Sequence, residues 1–147
     1  MSLRDWQRRN WLVEHQSSPE EIASLLAIVE RDLGNAKVSG LSDDWRLNIA
    51  YNAALQAATA ALAAAGYRAA REQHHYRTVQ SLAFTIGWPA TKVDRFDRLR
   101  KKRNIVGYET AGVVSAQEAR AMRELAAALR EDVMAWLRKQ HPKLLRR

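Results

Sequence analysis

The chain has 147 residues, is 47% apolar and contains no cysteine, so one globular domain with a real core is expected and disulfides and thiolate metal sites are excluded. Its formal net charge of +8, with a pI near 10.3, draws polyanions toward it, nucleic acid above all, and makes such an association fall with salt. No apolar run reaches the roughly 18 residues that span a bilayer, and the polar, arginine-containing start is unlike a signal peptide, which points to a cytoplasmic protein with no membrane partner.

Leu3 to His15 reads as a short basic helix, with Leu3, Trp6 and Val13 near one face and Arg4, Arg8 and Arg9 on others. Trp6 and Trp11 give it something to pack, so residues 1–17 are expected to dock on the rest of a single domain spanning 1–147. Lying on a membrane surface would need a longer segment and a wider apolar face. Ser18-Pro19-Glu20-Glu21 is a helix start, with Ser18 as cap, Pro19 in the first turn and Glu21 completing a capping box. Ile22, Leu25, Leu26, Val29 and Leu33 then mark the buried face, and Gly34-Asn35 the end.

Ser42, with Asp43 and Asp44, caps a long helix to about Ala65, whose main stripe is Leu47, Tyr51, Leu55, Ala58 and Leu62. Its alanine-rich second half lets a neighbouring helix come close. Gly66 closes it by a left-handed turn, and Tyr67 to Gln73 is expected to be a loop. The next helix, His74 to Ile86, turns Tyr76, Val79, Leu82, Ala83 and Ile86 inward before Gly87-Trp88-Pro89 breaks it. The four histidines form no metal pattern: His74 and His75 are adjacent and project about 100° apart, whereas two ligands on one face need a spacing of three or four. No metal or other cofactor is expected.

The helix from Lys92 onward is the most basic segment. Lys92, Arg95, Arg98, Arg100, Lys101, Lys102 and Arg103 stand against only Asp94 and Asp97. Val93, Phe96, Leu99 and Val106 fall in one sector of roughly 140°, the core face, and Arg103 projects about 20° from Phe96, while Arg98, Lys101 and Lys102 point elsewhere. A guanidinium keeps its charge, so on that stripe Arg103 needs a carboxylate, carbonyls, a subunit boundary or an anionic ligand. An ion pair with Glu30 or Asp32 is the structural alternative.

After Gly107 and Gly112, Ser115-Ala116-Gln117-Glu118 gives another capping box, and Met122, Leu125, Leu129, Val133 and Trp136 run down one face of the last helix to about Gln140, where Pro142 stops it. Residues 141–147 are read as a mobile basic tail. No run alternates in the way a strand requires. The expected fold is therefore all-α: an up-and-down antiparallel bundle of four principal helices plus the short N-terminal one.

Arg103-Asn104-Ile105-Val106-Gly107-Tyr108 resembles the signature turn of the HEPN family, in which an arginine, a polar residue, three further residues and a histidine form a ribonuclease centre. Tyr108 stands where the histidine is expected. Gly66-Tyr67-Arg68 followed by His74-His75-Tyr76-Arg77 resembles the opening of the middle helix in one branch of the family. The resemblance implies a small helical bundle acting as a homodimer, with the arginines of two subunits facing each other and RNA cut without metal through its 2′-hydroxyl.

It implies that Arg103 stabilises the charge developing on the phosphorane, Asn104 orients the phosphate, and Tyr108 occupies the acid-base position. A phenol with a pKa of about 10 is a poor base at neutral pH, so a weak or silent nuclease that binds RNA is the first expectation. His74 or His75 offers a substitute if either lies near Arg103. Arg98, Lys101, Lys102, Arg103, His74 and His75 are the expected RNA contacts. An active endoribonuclease, a toxin or effector, is the second reading. A structural bundle partnering a nucleotidyltransferase is the third. The resemblance further implies a toxin-antitoxin, stress or defence setting, with an antitoxin as another candidate partner.

Overall fold

The computed structural model of the protein describes residues 1–105 and 112–146. In chain order it contains α1 (Leu3–Arg8), β1 (Leu12–Glu14), α2 (Pro19–Asn35), α3 (Asp43–Ala64), β2 (Tyr67–Ala69), α4 (His74–Gln80), α5 (Leu82–Thr85), α6 (Ala90–Ile105), α7 (Ala116–Gln140) and a 3₁₀ turn, Pro142–Leu145. The protein is an all-α bundle with one very small sheet.

Alanine sets its layout. The stripe of α3 is buried as its spacing requires, but so are Ala50, Ala53, Ala54, Ala57, Ala60, Ala61, Ala63 and Ala64 around the rest of the helix. A helix buried over most of its circumference, with Asn48, Asn52, Gln56 and Thr59 on its partly exposed strip, belongs at the centre, and methyl side chains let α2 and α7 approach it closely. Ile22 and Val29 of α2, and Met122, Leu129, Val133 and Leu137 of α7, close the core around it, with Val93, Phe96 and Leu99 arriving from α6. Trp136, expected on that face of α7, is only partly buried and packs at a tilt against His141, and Leu137 takes the deep position.

Polar contacts fix the helix directions. Asp44, at the start of α3, accepts from the backbone N–H groups of Gly112 and Val114, just ahead of α7, so α3 and α7 run the same way. The end of α6 lies at this same pole, where Arg103 reaches Asn48 and Lys102 pairs with Glu118. Late in α2, Asp32 accepts from Asn52 in the first half of α3, so those two run oppositely. The four principal helices α2, α3, α6 and α7 thus alternate in direction along the chain.

Four expectations need correction. Leu3 to His15 is not one helix: α1 ends at Arg8, Asn10 turns through the left-handed region at φ 63°, and Leu12–Glu14 pairs antiparallel with Tyr67–Ala69, a strand where a loop is expected. The pairing is locked at both ends by Ala70 N–H to Trp11 O and His15 N–H to Gly66 O, and it buries Leu12 and Ala69 with Trp6 and Leu62. Strands of three residues are too short to show a period.

The helix expected over His74 to Ile86 breaks at Ser81. There the hydroxyls of Thr78, Ser81 and Thr85 donate back to the carbonyls of His74, Thr78 and Ser81, competing with helical bonding. Ala83 is exposed and Ser81 is buried instead. The capping box at Ser18 is only half formed: Ser18 accepts from Glu21 N–H, but the Glu21 carboxylate turns to His15 Nε2 at 2.8 Å. The box at Ser115 and Glu118 forms in full. Lastly, the basic end is anchored through residue 145, because Leu144 and Leu145 pack on the core and share a depression with Pro19, Ala23 and Leu26 of α2.

Candidate functional site

Helical spacing on α6 places Val93, Phe96 and Leu99 in the core and brings Arg103, partly buried, to the same side one turn beyond Leu99. No carboxylate pairs with it among the described residues. Glu30 instead bonds Arg130, and Asp32 accepts from Asn52 and Arg31, so the ion pair offered as the structural alternative is absent. Arg103 Nε donates to Asn48 Oδ1 at 3.0 Å, and its guanidinium lies 5.3 Å from the centre of the Tyr51 ring. A ring face and an amide oxygen orient this cation, and neither is a countercharge.

The same tyrosine links Arg103 to the histidine pair. Tyr51 OH and His75 Nδ1 are 3.2 Å apart, and burial pushes the phenol up to about 12 against the opposing pull of Arg103 and Arg100. Burial, and then the charges of Arg103, His74 and Arg100, hold the His75 imidazole below its usual range. At neutral pH the phenol therefore keeps its proton and the imidazole is neutral, and the two share one hydrogen bond between Tyr51 O and His75 Nδ1 whose direction follows the ring tautomer.

Beside this linkage opens a cleft of about 480 Å³ lined by Gln73, His74, His75, Tyr76, Arg100 and Asn104. Arg100 is its cationic wall. Its Nε donates to Asp97 Oδ1 at 2.7 Å, Asp97 is only 8% exposed, and the guanidinium sits 5.5 Å from the Tyr76 ring. Arg103 reaches the cleft through its neighbours: it stands 3.5 Å from Asn104 Oδ1 and over the ring whose hydroxyl bonds His75.

The expected site residues thus separate. Asn104, His74 and His75 line one cleft, and His75 is joined to Arg103 through Tyr51. Arg98, Lys101 and Lys102 lie instead around a second depression with Arg95 and the start of α7, where Lys101 pairs with Asp97 at 3.5 Å and Lys102 with Glu118 at 3.4 Å. Tyr108 lies outside the described residues, as does the turn through Val106 and Gly107. Sequence reasoning missed Asn48, Asp97 and the site role of Tyr51. The spacing of three and four from Asp97 to Arg100 and Lys101 was a readable signal, whereas Asn48 and Tyr51 reach the site only across the bundle. Among the described residues no group of His, Asp and Glu is arranged to hold a metal ion, and no helix is long and apolar enough to cross a membrane.

No protein-family model matches the chain, and neither a curated protein nor a solved structure shows significant similarity to it.

Proposed function

We propose that the protein is a HEPN-like RNA-binding module whose cleft seats phosphate and which cuts RNA slowly or not at all. The observation that carries this reading is the lining itself. Arg100, Asn104 and Gln73 offer donors, Arg103 adds a cation alongside, and among the described residues no carboxylate pairs with Arg103 or lines the cleft. Such a surface suits a phosphate oxygen. Tyr51 engages Nδ1 of His75, which leaves only Nε2 of that ring for a ligand. The HEPN-like homodimer and a nucleotidyltransferase or antitoxin partner, in a toxin-antitoxin, stress or defence setting, belong to the same proposal.

Titration of labelled RNA at several salt concentrations tests it. Binding is expected to weaken steeply with salt, and Arg103→Gln to reduce affinity about tenfold and the salt slope by about 0.7, the share of one phosphate contact on a single strand. Affinity indifferent to both salt and Arg103 would leave the structural-bundle reading in place. A metal-independent endoribonuclease is the second reading, favoured by one observation: His74 lines the same cleft as Arg100 and Asn104. Cleavage in EDTA that disappears in both Arg103→Gln and His74→Gln would select it over binding alone.

A further inference from the structure

The cleft does not end at Tyr76. The guanidinium of Arg77 lies 5.2 Å from the Tyr76 ring and 3.6 Å from the Trp11 ring, and Arg9 approaches Trp11 at 5.1 Å. Cations and rings therefore alternate from Arg100 at the cleft wall through Tyr76, Arg77 and Trp11 to Arg9. The order is built in. Trp11 is clamped on both sides of its backbone, by its own N–H to Trp6 O and by Ala70 N–H to its carbonyl, each at 2.9 Å, and buried Trp6 meets it edge to face.

A purely structural account, in which an arginine staples the N-terminal segment to α4, explains Arg77. It does not explain Arg9, which is exposed and whose side chain makes no ion pair or hydrogen bond among the described residues. An arginine laid on a ring keeps its N–H edge free for phosphate and offers its plane to a base.

We propose that this ridge of arginines and aromatic rings extends the RNA footprint out of the cleft and selects single-stranded RNA, the inference resting on the reading of the cleft as a phosphate seat. A single strand presents phosphates together with unstacked bases, and alternating charge and π-surface matches both. A duplex hides its bases in the stack and leaves the ridge only phosphates to bind.

The test compares labelled oligouridylates of about 4 and about 12 nucleotides, and a duplex of the longer length, on the full chain. Wild type is expected to bind the long single strand at least about tenfold tighter than the short one, and tighter than the duplex. Arg9→Gln combined with Arg77→Gln should abolish most of that gain with length, lower the salt slope for the long strand by about 1.4, and leave the short oligonucleotide unaffected. Because Arg77 also packs on Trp6 and Trp11, Arg9→Gln alone is the control for folding. It should keep the wild-type thermal midpoint and still lower the slope by about 0.7. An unchanged length dependence in both variants, or a duplex bound as tightly as the single strand, overturns the ridge while leaving an Arg103-sensitive cleft intact. Absence of any salt-sensitive binding that depends on Arg103 overturns the cleft, and the ridge with it.

Discussion

Arg103 is held by an amide and a ring, so its charge is felt by whatever lies nearest, and His75 lies across Tyr51 from it. Burial and that charge both disfavour the imidazolium. In the unfolded chain the imidazole titrates near its ordinary value of about 6.5, and in the folded chain lower. As pH falls below about 6.5 the unfolded state takes up the proton first, so stability that is complete above this value is lost on acidification toward the folded pKa. Arg103→Gln removes one repelling cation. Its expected result is an upward shift of the His75 midpoint, read by NMR of the ring, together with a shallower loss of stability as pH falls below about 6.5. A midpoint that stays where it is in the wild type would show that burial and the charges of His74 and Arg100 set it and that Arg103 is electrically remote.

At the scale of elements, α6 reads as one basic run but divides into two functions. Asp97 takes Arg100 at one spacing and Lys101 at the next, which aims the first into the cleft and leaves the second on the far depression. Asp97→Asn keeps an acceptor for Arg100 but removes the countercharge from a side chain that is only 15% exposed. A loss of about 1–2 kcal/mol in denaturant unfolding is expected, the difference between a charged and a neutral bond plus some uncompensated burial. No loss would mean that solvent already screens the pair.

The same helix shows how far sequence could be read. Periodicity alone identified its buried face and the misfit of Arg103, since both are properties of one element. The ring and the amide that receive Arg103 belong to α3, 55 residues away for Asn48, and only packing brings them there. The β1–β2 pairing was hidden for the same reason: Leu12 and Ala69 are too few to signal a strand and are buried only once Trp6 and Leu62 cover them. The break at Ser81 was a local matter, and its three hydroxyl residues stood in plain view.

For the whole molecule, α3 is the axis of the core and also carries the two residues that hold Arg103. Asn48 and Tyr51 orient Arg103 from the helix whose alanines let α2 and α7 close on it. A substitution that pushes the neighbours away should therefore act on stability first. Ala57 is fully buried, and Ala57→Leu adds three carbons where no space is left. Overpacking of this kind destabilises by about 1–3 kcal/mol, which for a domain of this length lowers the thermal midpoint by about 2–12 °C. Since Ala57 lies nearly two turns beyond Tyr51, the RNA affinity of the protein that remains folded should change less than about threefold. A midpoint at or above that of the wild type would mean that α2 and α7 do not depend on the small side chains of α3 to reach it. A collapse of affinity at intact stability would mean that the hold of Asn48 and Tyr51 on Arg103 moves with the core, so that packing of the bundle and binding at the cleft are one cooperative property.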